Sequence, residues 1–397
     1  PVPDHFAVLC HTNCVLAGTI PLVGARLLTR RRAVKAISSL MLAIVALTMG
    51  SVAAAELDLD DIKLPRGFEI EVYANVPNAR SLTLGYNDVV FVSNRQQSSV
   101  YAVVPSGTAD PQVIEIARDL NMPNGIAFRN GDLYVAEIDR ILVFRKIMSN
   151  ITQQPAPEVV NVALPGERHH GWRYVGFGPD DKLYVGMGAP CNVCERDSEG
   201  FAQIWRMNPD GSGVETFARG VRNTVGFTWH PETGEFWFTD NGRDMLGDNE
   251  PPDELNRASR PGLHFGFPYC HGGEILDPEY GVGRRCEDFV EPALQLGPHV
   301  AALGLEFYTG DMFPPEYQGQ LFIAEHGSWN RSKKIGYRVM LVEMEDGVPV
   351  SYEQFARGWH KGDKVAGRPV DLAVLSDGSM LVSDDHGGRI FRIYYED

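Results

Sequence analysis

A six-bladed β-propeller is the fold this sequence predicts, and three observations predict it. One pattern recurs six times: a short apolar strand, a Gly/Asp/Asn turn, a second strand rich in Leu, Val, Phe and Tyr, then a polar loop. The alternation within each copy has the period of two that strands require, and no long segment of period 3.6 competes with it. The spacing is that of blades: turn markers at Asn87, Gly131, Asp181, Gly234, Gly319 and Asp377 stand 44, 50, 53, 85 and 58 residues apart, which suits four-stranded units with loop insertions. A pair of β-sandwiches is the structural alternative, but sandwiches do not require so regular a recurrence.

In chain order the copies are "SLTLGYNDVVFVSNRQ", "GIAFRNGDLYVAEIDR", "RYVGFGPDDKLYVGMG", "VGFTWHPETGEFWFTDNG", "LGLEFYTGDMFPPEYQGQLFIAEHG" and "VDLAVLSDGSMLVSDDHG", beginning at Ser81, Gly125, Arg173, Val225, Leu303 and Val370. Third strands follow several of them, in "SSVYAVV", "QIWRM", "RVMLVEME" and "GRIFRIYY". The largest insertion falls at about residues 240–300.

The 397-residue chain has a formal charge of −16. Its first 55 residues hold five bases (Arg26, Arg30, Arg31, Arg32, Lys35) and one acid, Asp4; without them 31 bases face 51 acids, a net of −20. So acidic a body argues against nucleic acid or an anionic membrane as partner. Residues 1–55 read as a targeting segment: "TRRRAVK", an apolar run through Leu40 to Val45, and Ala53 to Ala55 before Glu56 give a signal peptide with an Ala-x-Ala site. An uncleaved anchor helix is the alternative reading, and the arginine run also resembles a twin-arginine signal. Residues 1–25, which open on Pro1, read as misassigned upstream sequence, so the propeller is expected over 56–397, periplasmic or secreted and without stable membrane insertion.

Export leaves four cysteines, Cys191 and Cys194 in "PCNVCERD" and Cys270 and Cys286 bracketing a loop. An even number in an oxidising compartment favours two local disulfides. A zinc site is weaker because the pairs are far apart and lack ribbon spacing, and c-type haem is disfavoured because Glu195, not His, follows Cys194. The Cys191–Cys194 bridge reads as a clamp on its loop, with a redox-active pair as the rival reading.

In a propeller the residues just before each innermost strand converge on one mouth of the channel. Here they are Arg80, Asn124, His169 with His170, Arg222 with Asn223, His299, and Arg368. No carboxylate is among them, so an acidic protein presents a basic rim; the plain alternative is that such groups solvate loop ends. Arginines favour planar, multiply charged oxygens, and a histidine among arginines is held neutral and able to take a proton. "EHGSWNRSKK" adds His326, Arg331, Lys333 and Lys334. "FTDNGRDMLGDNEPPDELN" offers oxygens for Ca²⁺, or is a solvated acidic loop.

At these residues the chain resembles the PQQ-dependent soluble sugar dehydrogenases, and most closely their sorbosone dehydrogenase-like branch. The resemblance runs from "LPRGFEIEVYA" to "GRIFRIYY" and is most specific in "HHGWRYVGFGPDDKLYVGMGAPCNVCE", "GVRNTVGFTWHPETGEFWFTDNGRD", "DELNR", "FGFPYCHGG", "EHGSWNRS" and "RPVDLAVLSDGSMLVSDDHGGRIFR". It implies a six-bladed propeller holding pyrroloquinoline quinone (PQQ) on its mouth, with Ca²⁺ bridging it to a loop. It further implies His169 as catalytic base with His170 the rival, Arg222 beside the reducible carbonyl with Asn223 next to it, and the Gly242 and Arg243 carbonyls as Ca²⁺ ligands. Arg331, Arg368 and Asp384 would bind the cofactor's remaining edge, and Arg331, Lys333 and Lys334 compete for the place of the family's cofactor lysine. Arg168 replaces the acid that precedes the base in glucose-oxidising members, which puts glucose specificity in doubt.

The expected activity is therefore oxidation of an aldose or aldehyde sugar by hydride transfer to PQQ, with electrons leaving to an external acceptor, a cytochrome or a quinone. A calcium-dependent sugar lactonase and a non-catalytic ligand-binding propeller are the competing expectations. The lactonase would want acidic metal ligands from several blades, and the binding propeller would need no titratable base.

Overall fold

The computed structural model describes residues 57–107 and 109–396; the expected targeting segment lies outside them. The six hairpins are the inner halves of six blades. Blade one comprises Ala79–Leu84, Val90–Asn94, Val100–Ser106 and Ala109–Ala117, each strand antiparallel to the last. Blade two follows with Gly125–Arg129, Asp132–Ala136, Ile141–Phe144 and Glu158–Val159. Blade three runs through Val175–Phe177, Leu183–Met187, Gln203–Met207 and Glu215–Arg219, and blade four through Phe227–Trp229, Phe236–Asp240, Pro252–Ala258 and Leu294–Pro298. Blade five is Ala302–Phe307, Leu321–Glu325, Arg338–Glu345 and Val348–Arg357.

Blade six takes three strands from the C-terminal end, Pro369–Val374, Met380–Asp384 and Arg389–Tyr395, and its outermost strand from the other end, Phe68–Asn75. That pairing is antiparallel, from Phe68 opposite Tyr395 to Asn75 opposite Arg389. The two ends of the described chain thus close the ring. Phe68 anchors the seam, packing edge-on against Phe313, Tyr317, Phe355 and Tyr395 at 4.8 to 5.1 Å between centroids.

The apolar core is divided among the blade interfaces. Separate clusters lie between blades one and two (Phe91, Ile126, Phe144), two and three (Tyr134, Val143, Val185), three and four (Tyr184, Phe227, Phe238), and four and five (Trp237, Leu305, Met340). Blades five and six bury Phe322 and Phe391 together, and six and one bury Leu381 with Val92. Both faces of each sheet are therefore covered, which is why the second strands read as near-continuous apolar runs. Toward the axis the blades crowd: a Cβ on Gly125 would lie 2.5 Å from the Arg173 carbonyl oxygen of the next blade, so only glycine fits there.

The long insertion in blade four contributes Leu263–His264, which pairs in parallel with blade three's outer strand, and a small hairpin of Cys270–His271 with Ile275–Leu276. Cys270 and Cys286 are joined (Cα–Cα 5.5 Å), as are Cys191 and Cys194 (6.1 Å), so the cysteines form the two local disulfides rather than the zinc site. Among the described residues no helix is long and apolar enough to cross a membrane.

Because Phe68 is 6% exposed at the closing seam, Phe68→Ala is expected to cost about 3–5 kcal/mol. A urea midpoint equal to that of the parent would show that the aromatic seam does not hold the ring closed.

Candidate active site

The inner strands begin at one end of the ring and deliver their leading residues to a cavity of about 370 Å³. Arg80, His169, His170, Arg222, Asn223, His299 and Arg368 all line it, joined by Arg95, Trp172, His326 and Asn330. Two sequence expectations need correction here. Asn124 is fully buried beneath the rim, where its Oδ1 accepts from Arg80 Nε (2.6 Å) and its Nδ2 donates to the Arg173 carbonyl (3.2 Å). Arg80 lies inside its strand, at a register shift between Ala79 and Leu82 that recurs between Ala302 and Leu305 and between Pro369 and Leu372.

Carboxylates one or two strands further out hold this rim in place. Asp240, ending blade four's second strand, accepts from the backbone N–H groups of Arg222 (2.7 Å) and Asn223 (2.6 Å). Asp384, at the same position in blade six, accepts from the backbone of Arg368 (2.8 Å), His386 and Gly387 (3.0 Å each). It does not line the cavity; it sets the backbone from which Arg368 projects. For blade five the support comes from its neighbour: Asp253, on blade four's third strand, accepts from the Ala301 N–H (2.7 Å) while also taking the Gly242 N–H (2.8 Å). Burial raises Asp253 to about 6 and Asp384 to about 6, the backbone donors opposing the rise in each case.

The guanidinium groups divide into two kinds. Arg80 is paired with Asp385 at 2.6 Å. Burial works against the Asp385 charge, but the hydrogen bond to His326 Nε2 (2.9 Å) and the Arg80 guanidinium hold its carboxyl well below the usual range. Arg222 makes four side-chain hydrogen bonds: Nε to the Asn192 carbonyl (2.8 Å), Nη1 to the Asn241 carbonyl (3.0 Å), and Nη2 to Asn192 Oδ1 (2.9 Å) and Asp244 Oδ2 (3.1 Å). Arg95 and Arg368 have no carboxylate partner among the described residues. Arg95 sits over the Trp172 ring at 4.6 Å, and burial with the nearby Arg80 and Arg368 charges lowers it to about 10. Arg368 Nε is buried with no hydrogen-bond partner, as is Asn330 Oδ1.

Both histidines are held below their ordinary pKa. Partial desolvation, then the Arg222 charge, lowers His169 below its ordinary value although the residue keeps solvent contact, whereas burial, Arg222 and then His169 lower His170 well below it. The rings lie 4.1 Å apart. His169 is exposed, whereas His170 is buried, with Nδ1 2.8 Å from the Ala189 carbonyl. A carbonyl can only accept, so Nδ1 carries the proton and Nε2 is the basic nitrogen.

The loop after Asp240 brings Gly242 to the cavity. Among the described residues the Gly242 and Arg243 carbonyls accept no hydrogen bond, while those of Asn241 and Asp244 on either side do. The Arg243 side chain turns away to pair with Asp277, which also binds His271. Arg331 and Lys333 lie outside the cavity: Arg331 bonds the Pro298 carbonyl (3.3 Å) and Lys333 is exposed. Arg168 is likewise exposed beside Met122. Among the described residues, no group of three or more His, Cys, Asp or Glu side chains is arranged to hold a metal.

A family model for glucose/sorbosone dehydrogenase matches residues 146–328. The chain is 35% identical over 361 residues to an uncharacterized protein of Borreliella burgdorferi, covering 86% of this chain and 93% of that one. It is 32% identical over 166 residues to a pyrroloquinoline quinone-dependent pyranose dehydrogenase of Coprinopsis cinerea. The chain belongs to the PQQ-dependent soluble sugar dehydrogenase family. The stretch shared with the Coprinopsis enzyme is 36% of this chain and only 21% of that protein. A second model, TrAA12-like, matches residues 282–396. The fold is shared with the holo PQQ domain of the Coprinopsis cinerea pyranose dehydrogenase, at a TM-score of 0.71 and 19% identity over 84% of this chain and 97% of that one.

With its pKa held well below the ordinary value, His170 is expected to remain mainly neutral at pH 6, where an unperturbed imidazole is mostly protonated, and His169 to titrate below an unperturbed imidazole. Nitrogen chemical shifts of the two rings through a pH titration check this; a ring that protonates at or above pH 6.5 would contradict the electrostatics of the mouth.

Proposed function

We propose that this member of the family binds PQQ and calcium at the mouth, oxidises a sugar or aldehyde there, and passes the electrons to an external cytochrome or quinone. The observation that carries the reading is a pair of arginines, Arg95 and Arg368, that face the cavity and form no ion pair with a carboxylate among the described residues, although Asp385 lies near enough to act on the Arg95 charge. Leaving guanidinium charge unpaired in a half-buried site is unfavourable unless an anion arrives, and a carboxylate-bearing ligand supplies bidentate acceptors. The orphaned Arg368 Nε is one waiting donor. The carbonyls of Gly242 and Arg243, which accept no hydrogen bond among the described residues, suit a hard cation, which takes oxygen ligands. PQQ, when bound, supplies a hydride acceptor, and calcium a Lewis acid.

The chain's own residues then have separable tasks. His170 is the ring that geometry favours as base over His169: its proton is fixed on Nδ1, so Nε2 can take the proton of a substrate hydroxyl. Arg222 contributes a positive charge that four protein acceptors already orient, leaving one N–H for the ligand. Asn223 lines the same wall, its backbone pinned by Asp240. Asp384 acts through Arg368, and Arg331 and Lys333 take no direct part. The lactonase reading lacks the converging acidic ligands it needs among the described residues.

Adding PQQ and Ca²⁺ to the purified protein with a panel of aldoses, sorbosone and simple aldehydes should give dye reduction that depends on PQQ. His170→Gln should lower kcat by roughly 10²–10⁴-fold with PQQ still bound, and His169→Gln by far less. The reverse ranking would return the base to His169; absence of PQQ binding would defeat the proposal. Arg368→Met should weaken PQQ binding by roughly tenfold or more, measured by fluorescence titration of the apo-protein.

A further inference from the structure

The disulfide-closed loop Cys191 to Cys194 lies behind the mouth, bonded to Arg222 and Asp244 of its lining, and the proposed chemistry does not use it. Asn192, between the two cysteines, meets the backbone of Asp244 with both ends of its carboxamide. Asp244 N donates to Asn192 Oδ1 at 2.8 Å, and Asn192 Nδ2 donates to the Asp244 carbonyl at 3.1 Å. One side chain thereby pairs with a peptide unit as a neighbouring strand would. The same residue accepts twice from Arg222, through its carbonyl (2.8 Å) and through Oδ1 (2.9 Å). Half of the protein acceptors that orient Arg222 thus belong to Asn192.

These bonds connect parts of the chain that are otherwise far apart. Arg222 precedes the inner strand of blade four, Asp244 follows that blade's second strand, and Asn192 belongs to blade three. Asp244 Oδ1 then takes a hydrogen bond from Asn330 of blade five at 2.7 Å. The start of the loop and the backbone of the arginine are registered separately, since Ala189 N donates to the Arg222 backbone carbonyl at 2.7 Å. The Cys191–Cys194 bridge confines the backbone of Asn192 to a ring of four residues, so little freedom is lost when its carboxamide docks.

We infer that Asn192 is a positioning residue for Arg222 and for the Gly242–Asp244 loop, and that the Cys191–Cys194 disulfide belongs to the active-site architecture because it presents Asn192. The inference rests on the dehydrogenase reading for its catalytic consequence, though not for the contacts. Arg222 is nearly fully buried, and a buried guanidinium deprived of acceptors either moves or admits water. Either change displaces the charge beside His170 and frees the segment that carries the Gly242 and Arg243 carbonyls.

Hydrogen exchange of the apo-protein and kinetics of the loaded enzyme test this together. In Asn192→Ala the peptide spanning residues 240–246 should exchange at least tenfold faster, with blade-two peptides unchanged, and kcat at saturating PQQ should fall at least tenfold while KM for the sugar moves less than threefold. Asn192→Asp keeps the acceptor toward Arg222 and the Asp244 N–H but loses the donor, so it should recover part of kcat. The Cys191→Ser/Cys194→Ser double variant should show the same exchange pattern; if that variant fails to fold, Asn192→Ala still decides. Unchanged exchange in Asn192→Ala overturns the clamp, and faster exchange with parental kcat overturns the positioning role. A parent without PQQ-dependent turnover refutes the dehydrogenase reading instead, and exchange then decides the clamp alone.

Discussion

Ring closure is the constraint on which the site depends. Phe68–Asn75 must find Arg389–Tyr395 across the whole intervening chain before blade six has four strands. Once closed, every blade has a neighbour on both faces and no inner strand can shift without displacing two apolar interfaces. The mouth inherits that rigidity. Thr239 of blade four bonds the Leu303 carbonyl of blade five at 2.6 Å, and Leu82 of blade one donates to Asp371 of blade six at 2.9 Å. Cross-blade bonds of this kind fix the distances among groups contributed by distant parts of the sequence.

A strongly acidic chain builds a basic mouth on this frame by setting supporting carboxylates back on the second strand of a blade (Asp240, Asp384) or the third (Asp253). Asp240, Asp253 and Asp384 spend their lone pairs on backbone N–H groups, which positions the rim without cancelling all of its charge. Among the described arginines that line the cavity, Arg80 and Arg222 are the ones paired directly with acids. The result is a graded arrangement: two guanidiniums locked by protein, and two, Arg95 and Arg368, left for a ligand. Lowered imidazole pKa values follow from it, since a proton added to His170 would sit in a buried place beside Arg222, and one added to the more exposed His169 would still face that charge.

Much of this was legible in the sequence because hairpin turns and alternation are local signals. Six inner hairpins and seven of the rim residues could be placed from them. The outer strands were harder: "ADPQVIEIA", "ETFAR" and "LQLGP" carry mixed polarity because each lies at the periphery of its blade. The closing strand Phe68–Asn75 has no hairpin partner nearby, so no short-range pattern marks it. Sequence proximity misled at "EHGSWNRSKK", where Ser328 and Ile335 bond each other through N–H to carbonyl (2.9 Å) and N–H to Oγ (3.0 Å), turning Arg331 and Lys333 away while Trp329 and Asn330 stay at the cavity. Arg95 and Asn192 were missed because each acts through loops that meet only after closure. One signal was available for the supporting acids: Asp240 and Asp384 end corresponding second strands, in "FTDNG" and "VSDDHG".

The division between locked and free arginines has a chemical reason. A charge that stabilises a developing anion works best when it need not reorient as that anion forms, because reorganisation would consume part of the stabilisation. Arg222 meets this condition, with four side-chain bonds already made and its backbone held by Asp240. Arg95 and Arg368 meet the opposite requirement: groups that grip a ligand must keep donors in reserve. The cost of the first solution is dependence on Asn192, whose own placement depends on a covalent bond between its neighbours. A short disulfide loop suits that task better than a longer unconstrained one, because it restricts the backbone without demanding a packed core beneath it. A four-residue ring behind the mouth is therefore joined to the most constrained charge in it.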